Sequence, residues 1–325
     1  MTSLAAAPTS AWARVYGRLE RSPIWFVAAG LLLAGTVGVS DFASGENISN
    51  LLRQGAALGI VSVGQTVVLL AGGIDLSVGS LMSLVVVVSS VIMNGRPEMI
   101  GPAVAVCLLI GLAVGAFNGA MIVTTRIYPL LQTFGMLSIL QGVVFVLTDR
   151  TVGAAPPEFQ QLSYGSIGPL PTPALLLAAV IMVGWLLMRV TPFGRYVYAV
   201  GGSAENARRA GVRTRSVTVA VYILSALLAT VAGLVVAAQL GTGYTLAGSG
   251  FMIDSIVAVV IGGTALSGGR GGVGGTIAGV IVLVVIGNLL NLLAIPAFVQ
   301  QIVNGLIVVG VVALYGLAEL RRRAQ

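Results

Sequence analysis

The sequence predicts an all-α fold: a polytopic membrane protein of about ten transmembrane helices, some broken by glycine, with both termini in the cytoplasm. Three observations predict it. Hydrophobic residues fill 57% of the 325 positions and charged residues only 8%, whereas a soluble domain carries about 25% charged residues to face water. Ten apolar runs stand out, most of them near the ~20 residues that cross about 30 Å of hydrocarbon. No extended alternation of apolar and polar residues argues for a barrel.

The runs are 23–39, 51–71, 76–93, 100–123, 129–147, 172–188, 217–239, 255–267, 273–294 and 297–318. The eighth is short for a span and is interrupted by Gly262-Gly263. Residues 1–22 read as a cytoplasmic N-terminal segment, 23–318 as one transmembrane domain, and 319–325 as an Arg-rich cytoplasmic tail. The first span reads as uncleaved: no small-residue cleavage site is visible, and Asp41 and Glu46 follow at once.

Orientation follows from arginine, because cytoplasmic loops keep positive charge. With the N-terminus inside, Arg14, Arg18, Arg21, Arg208, Arg209, Arg213, Arg215 and the Arg321-Arg322-Arg323 tail share the inner side. Only Arg53, Arg96 and Arg150 fall outside. An odd number of spans would put the basic tail outside. The arginine excess is thus a topology signal, and no nucleic-acid partner is expected.

Absences exclude chemistry. The chain has no His and no Lys, and its one cysteine, Cys107, lies in an apolar run. Imidazole or Cys-ligated metal sites, disulfides, a Ser-His-Asp triad and a Walker A loop are all excluded. No metal and no cofactor is expected, and no catalytic residue stands out.

Three segments are candidates for function. The first is the cytoplasmic loop 191–216. Gly201-Gly202 breaks the chain, Ser203 is placed to cap a helix, Glu205 complements its dipole, and Gly211 stops it. A helix of about seven residues, roughly 10 Å long, is predicted, with Ala204, Ala207 and Ala210 leaving one side small. On residues alone, this is either a topogenic loop with one helical turn or a docking lever.

The second is Gly72-Gly73-Ile74-Asp75-Leu76-Ser77, which joins two apolar runs with almost no loop. Asp75 either caps the next helix at the watery cytoplasmic interface or, with Gly72, Gly73 and Ser77, marks a broken helix lining the solute path or its inner gate, as intramembrane carboxylates often do. The third, Gly262 to Gly269, repeats part of that pattern and brings Gly263 and Ser267 into the same candidate path. Gly269-x-Gly271-x-x-Gly274 fits a dinucleotide fingerprint but lacks the βαβ context it requires. Gly111, Gly115 and Gly119, like Gly275 and Gly279, read as close helix packing. Among the buried amides, Asn118, Asn288 and Asn291 are path candidates, with helix–helix glue as the alternative for each.

On these residues the chain resembles a known family. Glu205-x-Ala207-x-x-x-Gly211 is similar to the signature of ATP-binding-cassette importer permeases. Phe193 to Gly202, Gly72 to Ser80 and Gly263 to Gly271 resemble the forms found in permeases of the ribose/xylose/galactose, simple-sugar type, within the branched-chain-amino-acid-like superfamily. Ser203 stands where these permeases often have Asn, and Asn206 where the second Ala of the signature falls. The resemblance implies a non-catalytic multi-pass subunit of the bacterial inner membrane. It implies a cytoplasmic ATPase partner docking on Ser203, Glu205, Ala207, Arg208, Arg209 and Gly211, a solute-binding protein outside, a homodimer in lipid, and a simple-sugar substrate. Rival readings are a permease for branched-chain amino acids, nucleosides or a signalling sugar, an ion-coupled carrier, and a membrane enzyme such as a lipid transferase.

Overall fold

A computed structural model describes residues 24–296, 298–303, 305–307 and 309–310. The N-terminal segment 1–22, the tail 319–325 and much of the tenth predicted span lie outside the described residues. Helices run in order as α1 (Ile24–Gly38), α2 (Gly45–Leu70), α3 (Val78–Met93), α4 (Ile100–Thr125), α5 (Pro129–Leu147), α6 (Pro157–Tyr164), α7 (Thr172–Val190), α8 (Pro192–Gly202), α9 (Ala204–Arg209), α10 (Thr214–Leu240), α11 (Ser249–Ile261) and α12 (Val273–Leu292). The described residues beyond 297 are helical as well. Among the described residues, six helices are long and apolar enough to cross a membrane: α2, α4 with its leading turn, α5, α7, α10 and α12. Apolar α1, α3 and α11 are shorter.

The core forms around α10, which packs against α2, α3 and α4. The glycine spacing on α4 explains the tightest of these contacts. Gly111, Gly115 and Gly119 face α10, and a Cβ at Gly115 or Gly119 would lie 2.6 Å from the Cα of Ile223 or Val219. Glycine lets the two backbones meet, the device small residues serve between membrane helices. Gly275 and Gly279 of α12 meet Gly262 and Ala258 at the end of α11 in the same way. The perimeter is the opposite: Leu33 and Val37 of α1, Phe134 and Val146 of α5, and Val183 and Trp185 of α7 are exposed. An apolar surface of this extent suits acyl chains as solvent.

Two boundaries differ from the sequence reading. α2 begins at Gly45 rather than 51, because Ser44 caps it by accepting from the Asn47 N–H at 3.2 Å. α11 covers Ser249–Ile261, not 255–267. Its start is fixed by the Gly248 N–H donating to Ser83 Oγ at 2.9 Å, and it stops at a left-handed Gly263. The connection 148–171, which lies between two of the apolar runs, holds α6 and a hairpin of two-residue strands, Ser166–Ile167 with Leu170–Pro171. It is tied down by paired N–H to O=C bonds between Val152 and Gly243.

Candidate functional site: two helix breaks beside a helical hairpin

α2 ends in a left-handed turn. Gly72 has φ +82°, its N–H reaches Leu69 O, and the Gly73 N–H reaches Val68 O. This pair of bonds satisfies two carbonyls at the helix end, as in a Schellman cap. The chain then passes through Asp75 into α3. Asp75 is 1% exposed. Its Oδ1 accepts from the Ser77 N–H at 3.0 Å and the Ser77 hydroxyl at 2.6 Å, and its Oδ2 accepts from the Ser225 hydroxyl of α10 at 2.9 Å. Ser77 Oγ in turn accepts from Asn118 Nδ2 of α4, whose Oδ1 accepts from Gln132 Nε2 of α5 at 3.4 Å. Thr133 Oγ1 donates to Ile74 O at 3.1 Å. Oriented by its neighbours, the Gln65 carboxamide of α2 brackets the Asp75 backbone, donating to its carbonyl and accepting from its N–H.

Asp75 does not sit at a wetted interface: its carboxyl bonds Ser77, the residue that precedes α3, whose own side chain makes no cap bond to the helix. The Asp75 carboxyl is held by three donors in a buried knot that joins α2, α4, α5 and α10. A buried carboxylate persists only when paired or hydrogen-bonded in this way. The knot brings Asp75, Ser77 and Asn118 together. Gln65 and Asn118 are visible in the sequence as intramembrane amides, whereas Ser225, a lone hydroxyl in an apolar span, gives no signal.

The second break starts from the same turn. Gly263 has φ +86°, its N–H reaches Val260 O, and the Thr264 N–H reaches Val259 O. No carboxylate comes after it. The stretch folds on itself instead, the Ala265 N–H bonding Arg270 O and the Gly268 N–H bonding Ala265 O. It then docks on the first break: the Gly269 N–H donates to Leu70 O at 3.0 Å. Ser267 lies exposed at this junction, its carbonyl beside Gly72.

Gly201-Gly202, the C-terminus of α8, fills the remaining side. A Cβ on Gly201 would strike Leu70 O and lie 2.7 Å from the Gly269 nitrogen. Three glycine pairs distant in sequence thus share one point. Tyr198 of α8 adds a hydroxyl bond to Gly271 O at 3.0 Å. Burial pushes the Tyr198 phenol above its usual pKa, against the opposing pull of Arg189.

From this junction the chain turns directly into α9. The glycines of 191–202 suggest irregular chain; the segment is a helix, opened by Pro192 and capped by the Thr191 hydroxyl. Ser203 is extended and accepts from the Asn206 N–H at 3.2 Å, as its position predicts. Gly211, at φ +85°, closes α9 with bonds from Gly211 to Arg208 and from Val212 to Ala207. Only Ala207 of the three alanines is buried, packed in a cluster with Val197, Val200, Val212 and Val217. The rest of α9 is exposed. Arg208 and Arg209 each bind Glu205 at 3.0 Å rather than pointing free, and Arg208 first, then Arg209, hold the Glu205 carboxyl below its usual pKa.

The other predicted path amides lie elsewhere. Asn288 of α12 and Asn47 of α2 form a reciprocal pair, 3.0 and 2.7 Å, which is inter-helix glue. Asn291 accepts from Gln300 Nε2 at 2.9 Å and lines a separate cavity. Asn47 escapes sequence reasoning because it precedes the apolar run assigned to α2.

Comparison with known proteins agrees with this architecture. The family model described as branched-chain amino acid transport system / permease component matches residues 47–312. The ribose import permease protein of Escherichia coli strain K12 is 34% identical over 90% of this chain and 95% of its own. Its counterpart in Bacillus subtilis strain 168 is 36% identical over 84% of this chain and 86% of its own. The L-arabinose transport system permease protein of Escherichia coli K12 is 33% identical over 96% and 94%. No solved structure matches. A family model matching residues 47–312, with relatives at 33 to 36% identity over most of both chains, means that the chain belongs to the branched-chain amino acid transport system / permease component family.

Proposed function

We propose that the chain is the membrane-spanning subunit of an ATP-driven importer for a simple sugar, in the bacterial inner membrane. It is a non-catalytic subunit, and a separate cytoplasmic ATPase supplies the work. Ten spans with both ends inside put α9 in the cytoplasm and the 148–171 connection outside. A solute-binding protein delivers sugar at that outer face, and two copies of the chain form the pore in lipid. The sugar relatives motivate the substrate class.

One observation carries the mechanical reading: α9 leads straight into the point where both helix breaks meet. A push on Ala204–Arg209 acts on α8, whose Gly201, in its last turn, abuts Leu70 and Gly269. From there it reaches the ends of α2 and α11 and the starts of α3 and α12. A six-residue helix is marginal alone in water. Here α8 and the cluster under Ala207 brace it, which makes it a usable lever.

The test is co-purification. Wild-type chain brings down the ATPase subunit encoded with it, and Glu205→Arg and Ala207→Arg each lose that subunit while retaining the melting behaviour of the membrane domain. Equal capture by both variants overturns the assignment. Uptake that survives ATP depletion but collapses with an uncoupler would replace the importer with an ion-coupled carrier.

A further inference from the structure

At the end of the bundle far from α9 lies a cavity of about 350 Å³. Gln239, on its wall, is 25 residues beyond Thr214 in the unbroken α10, about 37 Å of helix. Gln54 of α2, Phe251 and Asp254 of α11, Asn291 of α12 and Gln300 line it too. The side chains of Gln54, Gln239 and Asp254 make no hydrogen bond or ion pair among the described residues, although each lines this cavity and Asp254 is half-buried. Buried or half-buried polar groups are normally partnered. Gln239 and Asp254, both half-buried and unpartnered, leave hydrogen-bonding capacity at the wall of one space, and Gln54, which also lines it, is exposed.

We infer that this cavity is a solute subsite of the permease, taking the hydroxyl groups of a neutral sugar. The inference rests on the importer reading and deepens it. A carboxylate accepts from two hydroxyls. Carboxamides both donate and accept, so they suit groups that do the same. Among the described residues no cationic side chain lines the space, which disfavours an anionic solute. The volume falls within the range of small-molecule sites, about 300 to 1,000 Å³. The half-buried ring of Phe251 supplies an apolar wall for a sugar face.

Placement supports it as well. α2 runs from Gln54 to the first break, α11 from Asp254 to the second, and α12 from the second break back to Asn291. Three of the helices that line the cavity thus end or begin at the junction beside α8. Movement there changes the cavity.

Cys107, the single cysteine, is buried, so a reporter thiol reads almost without background. Gln239→Cys is placed in the complete importer, in right-side-out vesicles, and labelled with an impermeant thiosulfonate. Ser249→Cys, exposed on the same helix as Asp254 but outside the lining, is the control. The probe is whichever of D-ribose, L-arabinose and D-galactose the wild-type complex imports. The inference expects that sugar at saturation to slow labelling at 239 at least several-fold and to leave 249 unchanged. Asp254→Asn, which replaces a charged acceptor, should weaken the protection about ten-fold in sugar concentration. Equal rates at 239 with and without imported sugar overturn the subsite and leave the importer reading standing. Equal slowing at both positions shows global closure and also overturns it. Protection by sodium instead of sugar makes this a cation site and overturns it too.

Discussion

The two glycine breaks begin with one backbone device and are completed in opposite ways. After Gly72 the chain is sealed by side chains: Asp75, Ser77, Asn118 and Ser225 bond one another in a buried space between helices. After Gly263 it is held by backbone bonds across 265–270 and by contact with Gly201 and Leu70, and Gly263 itself is exposed. The first break therefore joins helices rigidly, while the second rests on them. If α9 transmits a push, the second break is the side that gives, because it is held by a few backbone bonds and contacts rather than by a buried side-chain network across several helices.

The largest predicted effect is on the knot. Asp75→Ala orphans the Ser77 N–H and the hydroxyls of Ser77 and Ser225, and should destabilise the chain by at least about 3 kcal/mol, since each buried donor left unsatisfied costs about 1 to 3 kcal/mol. Asp75→Asn keeps one acceptor and can donate to Ser225, so it should recover most of that loss. Denaturation in micelles, followed by tryptophan fluorescence, measures both. Equal losses for Ala and Asn would mean that packing, not the bonded carboxylate, holds the break.

Next is the contact between breaks. Gly201→Ala drives a methyl group into Leu70 O, where backbone rather than a flexible side chain must yield. Overpacking of this kind costs about 1 to 3 kcal/mol, and the Gly269–Leu70 bond should be lost with it. Hydrogen exchange at Gly269 reads that loss directly. Protection unchanged at Gly269 would show that the two breaks are not mechanically joined.

A third pair of substitutions isolates the turn that the breaks share. Gly72→Ala and Gly263→Ala each put a side chain at φ near +85°, with an expected strain of about 1 to 2 kcal/mol. Neither added methyl meets anything closer than 3.8 Å. The two costs should therefore be of similar size, each set by the same left-handed strain of about 1 to 2 kcal/mol. A much larger cost at Gly72 would show that the knot constrains the turn itself as well as the segment from Gly73 to Ser77.

The sequence carried the helices better than it carried the joints between them. Apolar runs placed α3, α5 and α12 nearly to the residue, because lipid forces each span to satisfy its own backbone. Boundaries slipped where polar residues continue a helix. Gly45-Glu46-Asn47 looks like loop but is the capped first turn of α2, and Ser44 is the available clue. α8 is hidden by three glycines, although Thr191-Pro192 is a cap followed by a first-turn proline. The candidate residues around 72–77 and 203–211 are legible because glycine and charge are rare in apolar sequence. Their partners are not. Ser225 lies 150 residues from Asp75, and the meeting of Gly72, Gly201 and Gly268 is a tertiary fact that no periodicity encodes.

The smallest effect falls on α9 itself, where it separates folding from docking. Glu205 binds two arginines but is fully exposed, so solvent and salt screen the pair, and exposed ion pairs add little stability. The direction with pH is fixed by its lowered pKa. The pair contributes above the carboxyl's unfolded value and is lost as pH falls through the folded one, that is, only in acid. Glu205→Gln at pH 7 and physiological salt should leave the unfolding midpoint unmoved and remove the remaining pH dependence of α9 helicity below about pH 4.5, the ordinary glutamate range. A clear drop in the midpoint at neutral pH would mean that the α9 pair braces the junction from outside, and the contrast between a rigid first break and a yielding second one would have to be redrawn.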